Sequence, residues 1–265
     1  MCILICGYGS DHATRKELDN SCANNPDGFG YALLMESGEI IKRVGMKRHA
    51  VIESYLAKVD RPGVVANMFH ARIGTSGGHN KRNCHPFNIP GESAVLAHNG
   101  ILPVPVKVNS LLSDTGIFAT EMIPEMGGTD IFANPKNRDL LENWARGNKI
   151  AILSPSKLIG PLLILNEREG NWIDRVWFSN DSYEADYYSW QSWRYDPKAS
   201  LLDAYETFNH GDVCDYCETA LRDEDNGVCQ TCGMCVYCDR AVWDTDHYCD
   251  YDHADSDYDE MTVSA

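Results

Sequence analysis

Apolar residues along the first 180 positions fall in short runs, parted by glycine, proline and polar clusters. Residues 2–6 (CILIC) are continuously apolar and predict a buried strand. Residues 29–35 (FGYALLM) and 39–44 (EIIKRV), split by Ser37-Gly38, predict a β-hairpin. Val51, Ile52, Tyr55, Leu56 and Val59 recur at helical spacing within 49–59. Residues 64–70 (VVANMFH) and 93–98 (SAVLAH) predict strands. Asp114 can cap a helix through Ile117, Phe118 and Met122, ended near Pro124 or the Gly127-Gly128 pair. A further helix is expected over 138–146, and strands over 149–153, 161–166 and 172–178. Strands and helices do not alternate regularly, so a doubly wound parallel sheet is excluded. The pattern fits two layers of mostly antiparallel sheet covered by helices, an α/β protein of the α+β kind. There is no internal repeat.

Composition changes sharply further on. Tyr183, Tyr187, Tyr188, Trp190, Trp193 and Tyr195 form an aromatic stretch that either packs the end of a first domain or faces a partner. From Leu201 to Ala265 there are 17 acidic residues and two basic ones, so this segment holds −15 of the net −16. The first 200 residues are almost neutral. Two electrostatic halves imply two structural units. The expected division is a first domain over 1–200, a cysteine-rich module over 212–253 and a solvated acidic tail over 254–265. So acidic a segment is unsuited to the phosphate backbone of a nucleic acid, which requires Lys and Arg. No apolar run reaches eighteen residues, so no membrane span is expected. The opening MCILICGYGSDH has neither a basic leader nor a long apolar stretch, which predicts a cytoplasmic protein with reduced thiols.

In that compartment the 11 cysteines read as metal ligands or catalysts rather than disulfides. Cys214-x2-Cys217 and Cys229-x2-Cys232 are two CxxC knuckles, and each presents two thiolates from one tight turn, as tetrahedral zinc requires. Cys235, Cys238 and Cys249, with His247 or His253, supply a second set, and ligands could interleave between the two. One or two structural zinc ions are expected, with an iron–sulfur cluster as the minor alternative. Metal would supply much of the folding energy of so small a module. Its charge favours a protein partner.

Cys2 follows the initiator methionine, and a small second residue permits removal of Met1. The mature chain would carry a thiol and a free α-amine on one residue. Their reference pKa values lie near ~8.5 and ~8, so the amine can take the thiol proton and return it later. Four other segments join polar groups to a turn beside an apolar run: HARIGTSG (70–77), NCHPF (83–87), AHNGIL (97–102) and SDTGIF (113–118). Asn99 offers an amide NH₂ and Gly100 an unobstructed backbone N–H. Together they make a candidate oxyanion hole, while Asn-Gly is also a common turn. Arg72 can grip a carboxylate in two parallel hydrogen bonds or form a structural ion pair. Asp114 can hold an ammonium group, cap its helix, or do both. His70, His85 and His98 read as buried, hydrogen-bonded scaffold, because a terminal amine leaves no vacancy for a histidine base.

Cys2, HARIGTSG, NCHP, HNGIL and SDT, in this order and at these spacings, resemble the class II glutamine amidotransferases of the N-terminal-nucleophile (Ntn) hydrolases. The resemblance covers roughly residues 2–180. It implies a four-layer αββα sandwich, here followed by the small zinc-binding module. It also implies hydrolysis of L-glutamine to glutamate and ammonia through a thioester on Cys2, with ammonia passed to a separate synthase or acceptor protein and no catalytic cofactor. By the same resemblance Asn99 and Gly100 hold the oxyanion, Arg72 the α-carboxylate and Asp114 the α-ammonium, with Thr75 lining the pocket. Ile73 stands where the family often has tryptophan, and Ser76 where it often has histidine. Two other readings remain: an Ntn amidase for another amide, and a silent scaffold whose zinc module is a protein-binding adaptor.

Overall fold

The computed structural model describes residues 2–74, 80–107, 110 and 112–184, which belong to the first of two units, Met1–Trp193. Thr75, all the expected metal ligands from Cys214 to His253, the acidic tail and the aromatic stretch beyond Tyr183 lie outside the described residues. Strand β1 (Ile3–Tyr8) is central to a six-stranded antiparallel sheet. Its neighbours are β4 (Val64–Ala71) on one side and β10 (Val176–Phe178) on the other. Beyond β4 lie β2 (Phe29–Met35) and β3 (Ile40–Gly45), and beyond β10 lies β9 (Asn171–Ile173). The second sheet runs β5 (Phe87–Asn88), β6 (Val95–Asn99), β7 (Lys149–Leu153) and β8 (Leu162–Leu165), again antiparallel.

Strand alternation builds the layers. Ile3 and Ile5 of β1, with Tyr31, Leu33 and Phe69, pack beneath helices α1 (Arg15–Asn24) and α2 (Arg48–Val59) through Leu18, Val51, Ile52 and Tyr55. Leu4 and Cys6 point the other way. They meet Ala32, Met68 and Trp177 of their own sheet and Ala97, Ala151 and Leu153 of the second. The far face of the second sheet is covered by a helical segment and by α5 (Pro135–Trp144). That segment begins as α3 (Asp114–Ile117), widens into a π-helical turn over Phe118–Met122 and ends as α4 (Ile123–Glu125). The described residues thus stack as helix, sheet, sheet, helix. Strands β1 and β2 are covered on two faces, which explains why ILIC and FGYALLM are apolar without alternation.

Several sequence expectations shift. Helix α1 has few apolar residues and was not anticipated. Thr14 caps it through the Glu17 N–H, and Glu17 Oε2 accepts from the Thr14 N–H at 2.7 Å, a reciprocal capping box. The N-cap of α3 is Ser113, whose side chain accepts from the Gly116 N–H. Asp114 is therefore the first helical residue rather than the cap. The single strand expected over 172–178 is a hairpin, β9 and β10, turned at Asp174 and Arg175 with positive φ values of 45° and 71°. Tyr183 packs on Phe178 at 4.1 Å between ring centroids, so this member of the aromatic stretch closes the first core. Among the described residues no helix is long and apolar enough to cross a membrane.

Candidate active site

Pairing brings four chain ends to one edge of the sandwich. Ile3 lies opposite Ala71, so the end of β4 delivers Arg72 beside Cys2. Ser179, just past β10, bonds back to Leu4. From the second sheet, β6 ends in His98-Asn99 with Gly100 next. The start of α3 comes in at Asp114, whose Oδ2 accepts from the Leu102 N–H at 2.7 Å. Residues 2, 72, 100 and 114 thereby line one small cavity, together with Ile73, His85, His98, Ser113 and Thr115.

Cys2 is half-buried. Its Sγ accepts from the Ile73 N–H at 3.3 Å and faces the Ile73 carbonyl at 3.5 Å. Burial pushes the thiol up from its ordinary value, while the Ile73 N–H and the Arg72 guanidinium pull the other way by favouring the thiolate. The Cys2 carbonyl accepts from Asn180 Nδ2 at 2.7 Å, which ties down the backbone of the nucleophile residue. Arg72 is buried, and its backbone is braced by the 27–28 turn. Its N–H donates to Gly28 O at 2.8 Å and its carbonyl accepts from the Asp27 N–H at 2.9 Å.

Gly100 has φ of +140°, a conformation open to glycine. A Cβ there would fall 2.2 Å from Asn148 Oδ1. The neighbouring Asn99 is buried, its side-chain amide 2.8 Å from Ser179 Oγ. Asn99 does not itself line the cavity, but it sits between Gly100 and the start of β1.

Of the three buried histidines, His85 and His98 line the cavity and His70 lies against His85. His98 Nε2 donates to Asn148 Oδ1 at 2.9 Å, so its Nδ1 accepts from Thr115 Oγ1 at 2.8 Å. The His98 N–H donates to His85 Nδ1 at 3.2 Å, and the His98 carbonyl accepts from His70 Nε2 at 2.9 Å. His70 and His85 lie 4.1 Å apart between ring centroids. Burial depresses all three pKa values, to about 3 for His70 and well below the ordinary range for His85. Neutral rings at fixed tautomers are suited to holding the Asn99-Gly100 turn against α3 and β7. Gly30 contributes at a distance: a Cβ there would strike the His85 carbonyl at 2.1 Å.

Among the candidates named from sequence, Cys2, Arg72, Gly100 and Asp114 share the cavity, Asn99 adjoins it, and Thr75 is outside the described residues. Sequence reasoning did not single out Thr115, Asn148, Ser179 or Asn180. Thr115 lies within the SDTGIF segment without having been given a role, whereas Asn148, Ser179 and Asn180 make contacts that bridge segments far apart in the chain and no local motif marks them. Among the described residues no group of three or more His, Cys, Asp or Glu could hold a metal ion.

No protein-family model matches the chain, and no curated protein sequence matches it. Solved structures similar to it include the glutamine phosphoribosylpyrophosphate amidotransferase of B. subtilis complexed with ADP and GMP. Another is described as the allosteric regulatory enzyme of purine biosynthesis. Each is 14% identical, with a TM-score of 0.42 over 67% of this chain. The chain spans about two fifths of their length, 41%.

Proposed function

We propose that the chain is a glutaminase of the Ntn type, with Cys2 of the mature protein as nucleophile. The observation that carries the reading is convergence. Cys2, Arg72, Gly100 and Asp114 come from four separate segments and line one cavity. The helix–sheet–sheet–helix layering fits the fold that the sequence resemblance implies.

The chemistry follows from the residue types. Removing Met1 frees the Cys2 amine, which takes the thiol proton. The thiolate attacks the glutamine side-chain carbonyl, and its oxygen becomes negative. The Gly100 N–H and the Asn99 amide meet that charge. One such donor is worth about 3–4 kcal/mol of barrier. The Cys2 ammonium protonates the leaving nitrogen, ammonia departs, and water hydrolyses the thioester to glutamate. Arg72 and Asp114, about the same cavity, would hold the two charged groups of a free α-amino acid. As it stands the cavity is about 20 Å³, roughly one water's worth. Thr75 joins the proposed pocket on sequence grounds alone.

The ammonia would serve an acceptor enzyme on a separate chain. The C-terminal cysteines would hold one or two structural zinc ions, which metal analysis of the purified chain tests. For the reaction itself, glutamate release from glutamine is measured with the full-length chain after its mass shows loss of Met1. Cys2→Ala is expected to abolish release with an unchanged melting temperature. Release undiminished by Cys2→Ala overturns the reading.

A further inference from the structure

The dipeptide Ser179-Asn180, just past β10, holds both halves of the proposed chemistry from behind. Asn180 Nδ2 donates to the Cys2 carbonyl. The Ser179 N–H donates to Leu4 O at 2.9 Å, and Ser179 Oγ accepts from the Leu4 N–H at 2.8 Å. The hydroxyl is thus fixed on β1 two residues beyond the nucleophile. The same Oγ meets the Asn99 side-chain amide at 2.8 Å.

Hydrogen counting favours one orientation of that amide over the other. With Asn99 nitrogen on Ser179, Oδ1 is buried and has no hydrogen-bond partner. Ser179 Oγ then receives two donors, and among the described residues no other acceptor meets its own hydrogen. Either orientation leaves one end of the buried amide unpaired, but this one also leaves the Ser179 hydrogen without an acceptor, which costs about 1–3 kcal/mol. A half-turn about the terminal bond exchanges the two amide atoms and moves nothing else. Ser179 O–H then donates to Oδ1 while Leu4 N–H keeps the other side of the oxygen. The NH₂ takes the place of the orphaned carbonyl. An unpaired buried donor, next in the chain to cavity-lining Gly100, is what a developing negative charge requires.

We propose that Ser179 is a positioning residue. It donates to Asn99 Oδ1 and so turns the Asn99 NH₂ toward the oxygen that becomes negative as Cys2 attacks. This rests on the glutaminase reading and adds to it the group that aims the oxyanion donor.

The test compares full-length mature wild type, Ser179→Ala and Ser179→Thr in glutamine hydrolysis. Ser179→Ala is expected to lower kcat roughly ten- to a hundredfold, less than deleting a donor outright. KM should stay within about twofold, and Ser179→Thr, which keeps the hydroxyl, should recover most of the rate. A merely structural serine would lower the melting temperature and leave kcat intact. Wild-type kcat in a folded Ser179→Ala overturns the proposal and leaves the glutaminase reading standing. A wild type silent on glutamine brings down both. Neutron diffraction of the deuterated wild type separates nitrogen from oxygen without any variant. Oδ1 facing Ser179 supports the proposal, and Nδ2 facing it overturns it.

Discussion

The layer between the two sheets differs at its middle and at its edge. In the middle, Leu4, Cys6, Ala32, Met68, Ala97, Ala151 and Trp177 pack as one apolar cluster. At the edge where β1 begins and β4, β6 and β10 end, His70, Arg72, His85, His98, Asn99, Asp114 and Ser179 are all buried. Burying polar groups costs free energy unless they are hydrogen-bonded. Most of these groups are, and several bonds cross from one sheet to the other, as from His70 to the His98 carbonyl. The middle needs only shape to hold the sheets together. The edge fixes directions, of a thiol, a turn and a carboxylate, and it leaves one end of the Asn99 amide and His70 Nδ1 unpaired. Burying many directional groups at one end of a core, while the rest stays apolar, is what the proposed site would require.

The largest effect that separates the two regions is expected at Gly100. Gly100→Ala places a methyl against Asn148 Oδ1 and demands a φ that side chains rarely adopt. Glutamate release should fall a hundredfold or more, roughly the loss of one oxyanion donor. Normal turnover by this variant would show that the turn is only a turn.

A smaller effect concerns acid. The apolar middle has nothing to titrate in the acid range, whereas the edge buries neutral histidines. His70 keeps a folded pKa of about 3 against an ordinary 6.5. Below 6.5 the unfolded chain takes a proton that the folded chain refuses, so stability is full above 6.5 and declines as pH falls toward 3. Urea midpoints between pH 7 and 4 should show this decline, and His70→Asn should make it shallower. An identical slope in the variant would remove His70 from the account.

Much of the fold is legible in the sequence because its strands are apolar runs cut by glycine. Residues 29–35 are β2 as expected, and Gly38, with φ of +87°, turns the hairpin. Helix α1 escaped because only Leu18, Ser21 and Cys22 of it are buried, although Thr14 and Glu17 spell its cap. The β9–β10 turn escaped because Asp174 and Arg175 adopt left-handed backbone that their residue types do not announce. In the site, Cys2, Arg72, Gly100 and Asp114 could be named because each sits in a short polar segment beside an apolar run. Asn148 and Ser179 could not. Asn148 reaches His98 across 50 positions and Ser179 reaches Asn99 across 80, and only the folded register brings them together.

The central claim is that the sulfur of Cys2 attacks glutamine bound in the cavity of Arg72, Gly100 and Asp114. Its most direct test is labelling of the mature full-length chain with a diazoketone analogue of glutamine, followed by mass mapping. The account predicts one adduct, on the N-terminal cysteine, suppressed by excess glutamine. A mature chain that takes no label, or takes it on another residue, contradicts it.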